Sequence, residues 1–171
     1  MVDFAEAQVP SLAVSVERCH RSALEPMFSR NNPPAVVVSS MPAHGKHTPQ
    51  AGYNKFGFMW LKDVKAGSTI TIQFHNPEPV IGILFISGLA PAPLDMFGPE
   101  TKVYAQFSEL GEQYLGSFSE HGDFVRRLRG RNVTAIEVRV EESLERWVIV
   151  GHVVVNVMKQ KQKETEAEPD G

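Results

Sequence analysis

Thr69-Ile70-Thr71-Ile72-Gln73-Phe74 alternates without a break between polar residues and the apolar Ile70, Ile72 and Phe74. Successive side chains of an extended strand point to opposite faces, so this spacing puts three large apolar groups on one face of a strand. The same period recurs downstream. Val103, Ala105 and Phe107 alternate with Lys102, Tyr104 and Gln106, and Ile136, Val138 and Val140 alternate with Glu137, Arg139 and Glu141. Each run is a strand buried on one side, whereas Ile83-Leu84-Phe85-Ile86 and Val153-Val154-Val155 are continuous, as in strands covered on both faces. Further strands are expected at 35–39, 58–61, 114–118 and 147–150.

Turn signals at Ala66-Gly67, Asn76-Pro77, Gly88, Gly98-Pro99 and Gly130 separate these runs. About eight strands with tight connections and no long helical period predict an all-β, antiparallel β-sandwich, with a closed barrel as the alternative. The sandwich domain is expected over 33–158. Residues 1–32 read as a leader with one short helix over 13–27, stopped by Asn31-Asn32-Pro33-Pro34. Residues 159–171 carry Lys159, Lys161, Lys163, Glu164, Glu166, Glu168 and Asp170 with Ala167 as the one apolar side chain, the composition of a disordered charged tail.

A length of 171 residues fits one domain. The formal net charge of −3 supplies no overall positive field for nucleic acid or anionic membrane. The single cysteine, Cys19, excludes an intramolecular disulfide and a multi-cysteine metal site. The apolar stretches at 80–86 and 148–155 fall far short of the roughly 20 residues that span a bilayer, so no membrane insertion by this chain is expected. Residues 1–10 carry Asp3 and Glu6 and lack the basic cluster and apolar run of a signal peptide.

Catalytic patterns are missing. There is no G-x-S-x-G, and Asp3, Asp63, Asp95, Asp123 and Asp170 are isolated, whereas a nucleotide-sugar transferase commonly holds its metal with closely spaced aspartates. The chain alone is expected to be inactive and to need no cofactor. His44 and His47 are two neighbours in a Gly/Pro loop, too few for zinc, and read as a solvated loop. Trp60 and Trp147 fall inside expected strands and read as core, while Tyr53 in the loop before Phe58 reads as the accessible aromatic. The Pro-rich segment from Ser87 to Phe97 leaves an apolar strand and carries one carboxylate, Asp95. Loops at strand ends of a rigid sandwich are where binding groups usually sit; for Asp95 a local turn contact is the competing role. Asn132-Val133-Thr134 has the N-glycosylation pattern, which matters only in the secretory pathway.

Several of these features occur together in order: Asn32-Pro33-Pro34-Ala35, then Tyr53 with Phe58 and Trp60, Ala66-Gly67-Ser68, Ile70 to Phe74, Pro77, Phe85-Ile86-Ser87-Gly88, Pro93 with Asp95, and Trp147-Val148-Ile149. With them the chain resembles the C-terminal lectin-like domain of the N-acetylglucosaminyltransferase IV family, the alpha-1,3-mannosyl-glycoprotein 4-beta-N-acetylglucosaminyltransferases, over about 32–157 and without the catalytic domain. The resemblance implies a galactose-binding-like (jelly-roll type) sandwich that recognises terminal N-acetylglucosamine on N-glycans in the Golgi and secretory pathway. Asp95 takes the position of the family's motif aspartate, and the site implied comprises Asp95 as hydroxyl acceptor, Ser87, and Tyr53 or Phe97 as a stacking face. The chain departs from the family at Phe56-Gly57, Leu89 and Ala92, where the family has Glu-Asp, Asn and His. Those departures support a different class of function: an interaction protein that docks to a glycosyltransferase without binding sugar. A fragment of a full-length glycosyltransferase is the third reading.

Overall fold

The computed structural model describes residues 31–54, 57–88, 95–144 and 146–159. The leader helix expected over 13–27, all of the charged tail beyond Lys159, and Ala92 and Pro93 lie outside the described residues.

The strands are β1 (Ala35–Ser39), β2 (Met59–Leu61), β3 (Thr69–Ser87), β4 (Thr101–Phe107), β5 (Gly111–Ser117), β6 (Asp123–Arg127), β7 (Asn132–Val140) and β8 (Val148–Val157), with one helical turn, α1 (Pro49–Tyr53), before β2. Every pairing is antiparallel. β3 is the organising element. Its first half lies between β1 and β7, in the order β1-β3-β7-β4-β5, and its second half lies between β8 and β6, in the order β2-β8-β3-β6. The sandwich expected from the alternation is thus formed by one 19-residue strand that leaves one sheet and joins the other.

At Asn76-Pro77, where a turn is expected, no loop separates two strands: the chain stays within one strand, which bends at a register shift between Gln73 and Glu78 as it crosses. Proline lacks a ladder N–H, so Pro77 and Pro79 suit a point where one partner strand is given up for another.

Two more irregularities set which residues face inward. Ile70, Ile72, Phe74 and Val80 keep one parity, and a register shift between Val80 and Gly82 moves the inward set to Ile83 and Phe85. In β8 a shift beside Ser87 moves it from Val148 and Val150 to Val153 and Val155, leaving Gly151 as the extra residue. Such β-bulges invert the faces beyond them. The two apolar runs expected at 147–150 and 153–155 are therefore one bulged strand. Leu84, Ile86 and Val154 form a separate buried cluster, which explains why those stretches are continuously apolar.

Strand β6 and α1 escaped the sequence reading. Asp123–Arg127 contributes only Phe124 and then runs into charge, so it has too few apolar positions to register as a strand. α1 forms because Thr48 caps it, its Oγ1 accepting from the N–H of Ala51 at 3.2 Å, and Pro49 opens it.

Candidate functional site

The two ends of β3, the starts of β4, β6 and β8, and the ends of β2 and β7 meet at one end of the sandwich. The connecting segments are tied to one another. The N–H of Val64 donates to Arg146 O (3.4 Å), that of Leu144 to Val64 O (3.0 Å) and that of Gly88 to Ile149 O (2.7 Å). The Arg146 guanidinium donates to Met96 O at 3.1 Å, bridging the segment after β3 to the one before β8.

The residues expected to hold a ligand all lie at or near the core. Ser87 spends its hydroxyl internally: Oγ donates to Gly122 O at 2.6 Å and accepts from the N–H of Phe97 at 2.9 Å. Phe97 is 0% exposed and packs edge-on against Phe118, with ring centroids 5.1 Å apart. It cannot offer a stacking face, because its ring is what the loop buries to fasten itself to the core. Tyr53 is buried as well, its phenol donating to Pro33 O, and is not the accessible aromatic. Burial, then the charge of Glu78, pushes that phenol above its ordinary range. Asp95 lies at this end but is only 3% exposed, behind Gly88. Gly88 has a φ of +85°, and a side-chain carbon there would come within 3.1 Å of Met96 Cβ.

The tryptophans are placed differently from the core reading. Strand parity decides this: Met59 and Leu61 of β2 point into the core, so Trp60 between them points outward. Trp147 precedes β8 and is 54% exposed. The indoles pack edge to face at 6.0 Å. His44 tilts over Trp60 at 4.3 Å and His47 stacks on Phe58 at 3.9 Å, so the histidine pair belongs to an aromatic surface strip as well as to a loop. Among the described residues no three His, Cys, Asp or Glu side chains converge as metal ligands.

Beside Trp147 lies a cleft of about 520 Å³, lined by Lys62, Asp63, Lys65, Ser143, Arg146 and the indole. Asp63 holds a φ of +50°, uncommon for a side chain-bearing residue, which turns the loop after β2 sharply at the mouth. A planar aromatic face beside a carboxylate, a hydroxyl and three cations can hold a molecule with one apolar face and several hydroxyls. Another cleft, of about 410 Å³, lies at the entry to β1 near Asn32 and His75. Its polar groups serve the scaffold: the Asn32 amide donates to Tyr53 O and Val153 O and accepts from the N–H of Val155, each at 2.8 Å.

No family model matches the chain. An alignment of 135 positions, covering 70% of the chain, is 24% identical to an alpha-1,6-mannosyl-glycoprotein 4-beta-N-acetylglucosaminyltransferase of Gallus gallus. The resemblance drawn from the sequence stands. The chain covers 28% of that relative's length. Among solved structures, the family 32 carbohydrate-binding module of Clostridium perfringens NanJ, in complex with galactose, superposes with a TM-score of 0.56 at 8% identity, over 71% of this chain and 92% of that one. CpGH89CBM32-5 from Clostridium perfringens, in complex with GalNAc-beta-1,3-galactose, gives 0.54 at 7% identity, over 71% and 94%. A GH31 CBM32-2 bound to GalNAc gives 0.53 at 13% identity, over 73% and 99%. The chain has the fold of these structures, an antiparallel galactose-binding-like β-sandwich. Among the described residues no helix is long and apolar enough to cross a membrane.

Proposed function

We propose that this chain is a lectin-like module that binds glycans in the cleft beside Trp147. The observation that carries the reading is the half-exposed Trp147 indole, braced by Trp60 and flanked by Asp63, Ser143 and Arg146. Exposed tryptophan in a concave site with a few polar groups is the usual composition of a small-ligand site. The glycosyltransferase relative supports terminal N-acetylglucosamine of an N-glycan as the first ligand to test, and we propose the Golgi and secretory pathway as the setting. Asp95 and Ser87 enter this proposal as supports: they shape the segment whose Met96 carbonyl holds Arg146 at the cleft. The affinity expected of so open a site is millimolar to high micromolar.

Titrating N-acetylglucosamine into isotope-labelled protein tests the proposal. Shifts at Trp147, Asp63 and Ser143 support it; shifts confined to the Asn32 and His75 end, or none with any N-glycan fragment, overturn it.

The second reading, a docking protein for a glycosyltransferase, draws on β1. Val36 and Val38 are 51% and 56% exposed on one face of a strand that, among the described residues, pairs with β3 alone. Adjacent exposed valines on an edge strand suit a protein contact. Capture of a purified transferase that Val36→Lys/Val38→Lys abolishes would favour it.

A further inference from the structure

Residues 126–131 read Arg-Arg-Leu-Arg-Gly-Arg, four of the 17 basic side chains in a protein whose net charge is −3. They follow or end β6, one edge of the second sheet, and face β5, the edge of the first. Between these edges runs a cleft of about 280 Å³ with Phe107, Leu110 and Leu115 in its walls, Tyr114 and Gln113 from β5, and Arg126, Arg127, Arg129 and Arg131 along the other side. Leu110 and Tyr114 are half exposed. Arg126, Arg129 and Arg131 have no ion-pair partner among the described residues.

Charge on an edge strand ordinarily serves to block strand addition, and Arg126 and Arg127 fit that role. Arg129 and Arg131 do not, since they lie beyond the strand end. There Gly130, at a φ of +76°, turns the chain, its N–H donating to Val80 O at 3.0 Å. Four cations beside a half-exposed phenol and leucine are out of keeping with a purely protective edge.

We propose that this edge cleft is a second binding site, distinct from the one beside Trp147, for an oligosaccharide carrying sulfate groups. Guanidinium forks match the geometry of a sulfate and give up their hydration more readily than ammonium groups, and Tyr114 and Leu110 offer the faces a sugar ring covers. The cleft suits one or two rings. The overall negative charge of the chain argues against a long polyanion such as nucleic acid, which would be repelled beyond this patch.

β8 ends at Val157, Met158 packs against Gly130 of the arginine segment, and the sequence beyond contains Glu164, Glu166, Glu168 and Asp170. Both the full chain and a chain ending at Lys159 belong in the test.

Calorimetric titration of a heparin-derived hexasaccharide, beside its fully desulfated, N-acetylated counterpart, provides the measurement. The full chain should bind the sulfated sugar, with affinity falling as salt is raised. Arg129→Glu/Arg131→Glu should lose at least tenfold while its melting temperature stays unchanged, because both side chains are exposed. Trp147→Ala should bind the hexasaccharide normally. The proposal is overturned if the full chain does not bind, if the desulfated sugar binds equally, or if the charge-reversed variant is unaffected. Binding that appears only when 160–171 are removed would also overturn it, assigning the cleft to the chain's own acidic segment.

Discussion

Ser87 and Gly122 are joined by a 2.6 Å hydrogen bond from hydroxyl to carbonyl, and the same oxygen accepts the buried N–H of Phe97 at 2.9 Å. One hydroxyl thereby holds the end of β3, the start of β6 and the segment before β4 in register. Ser87→Ala leaves that N–H and that carbonyl without this partner in a site closed to water, at a cost of about 1–3 kcal/mol. Gly122→Ala should cost more. Its φ is +85°, and a side-chain carbon there would lie 2.8 Å from Ser87 O and 2.9 Å from Met96 Cβ. Urea unfolding of both variants checks the order, which a smaller loss in Gly122→Ala would contradict.

The alkaline limb of the stability curve should belong in part to Tyr53. In the folded chain its phenol keeps its proton where an unfolded tyrosine, near pH 10, has lost it. Above about pH 10 the unfolded state then binds fewer protons, so this contribution is complete at lower pH and declines as pH rises further. Tyr53→Phe should be less stable at pH 7 by about 0.5–1.5 kcal/mol, the loss of the bond to Pro33 O. The deficit should narrow above pH 10. A constant difference across pH 8–11 would show that the phenol does not titrate with unfolding.

Asp95 separates support from contact. A surface carboxylate that touched sugar would leave folding intact when replaced, but this one is 3% exposed in the segment that Ser87 fastens. Asp95→Ala should therefore lower both stability and glycan binding, the melting temperature by several degrees for a loss of about 1–3 kcal/mol. Full binding below the unfolding range, with a lowered melting temperature, would confine Asp95 to the scaffold.

The fold was legible in the sequence wherever a strand buries one face, as Ile70 to Phe74 and Ile136 to Val140 do, because burial there writes itself as period two. Strand number was less so. Asn76-Pro77 has turn chemistry but lies where β3 changes partners, and Gly151 punctuates a strand by bulging it. The side chains that the sequence offers for a site, Ser87, Asp95, Phe97 and Tyr53, are buried in the structure. Nothing local distinguishes Phe97, whose ring anchors a loop, from a ring that awaits a ligand, and only the parity of Met59 and Leu61 reveals that Trp60 faces out. Asp63, after β2, converges with Ser143 and Arg146, before β8, and two connections so distant in sequence leave no motif.

Trp147 carries the last prediction. Its indole is half exposed and packs edge to face with Trp60, so Trp147→Ala should cost the fold about 0.5–1.5 kcal/mol, the scale of one aromatic pair. For a sugar the change is larger in proportion. Covering about 50–60 Å² of apolar surface is worth about 1.3–1.5 kcal/mol, roughly tenfold in affinity. Trp147→Phe keeps a smaller planar face and should recover part of that loss, whereas Trp147→Leu, apolar without a plane, should recover little. Measuring N-acetylglucosamine binding across the four proteins by the same nuclear shifts places them in the order Trp, Phe, Leu, Ala. Equal affinities for Trp and Ala would remove the indole from the site, and a drop in affinity that tracks melting temperature would make it a structural residue only.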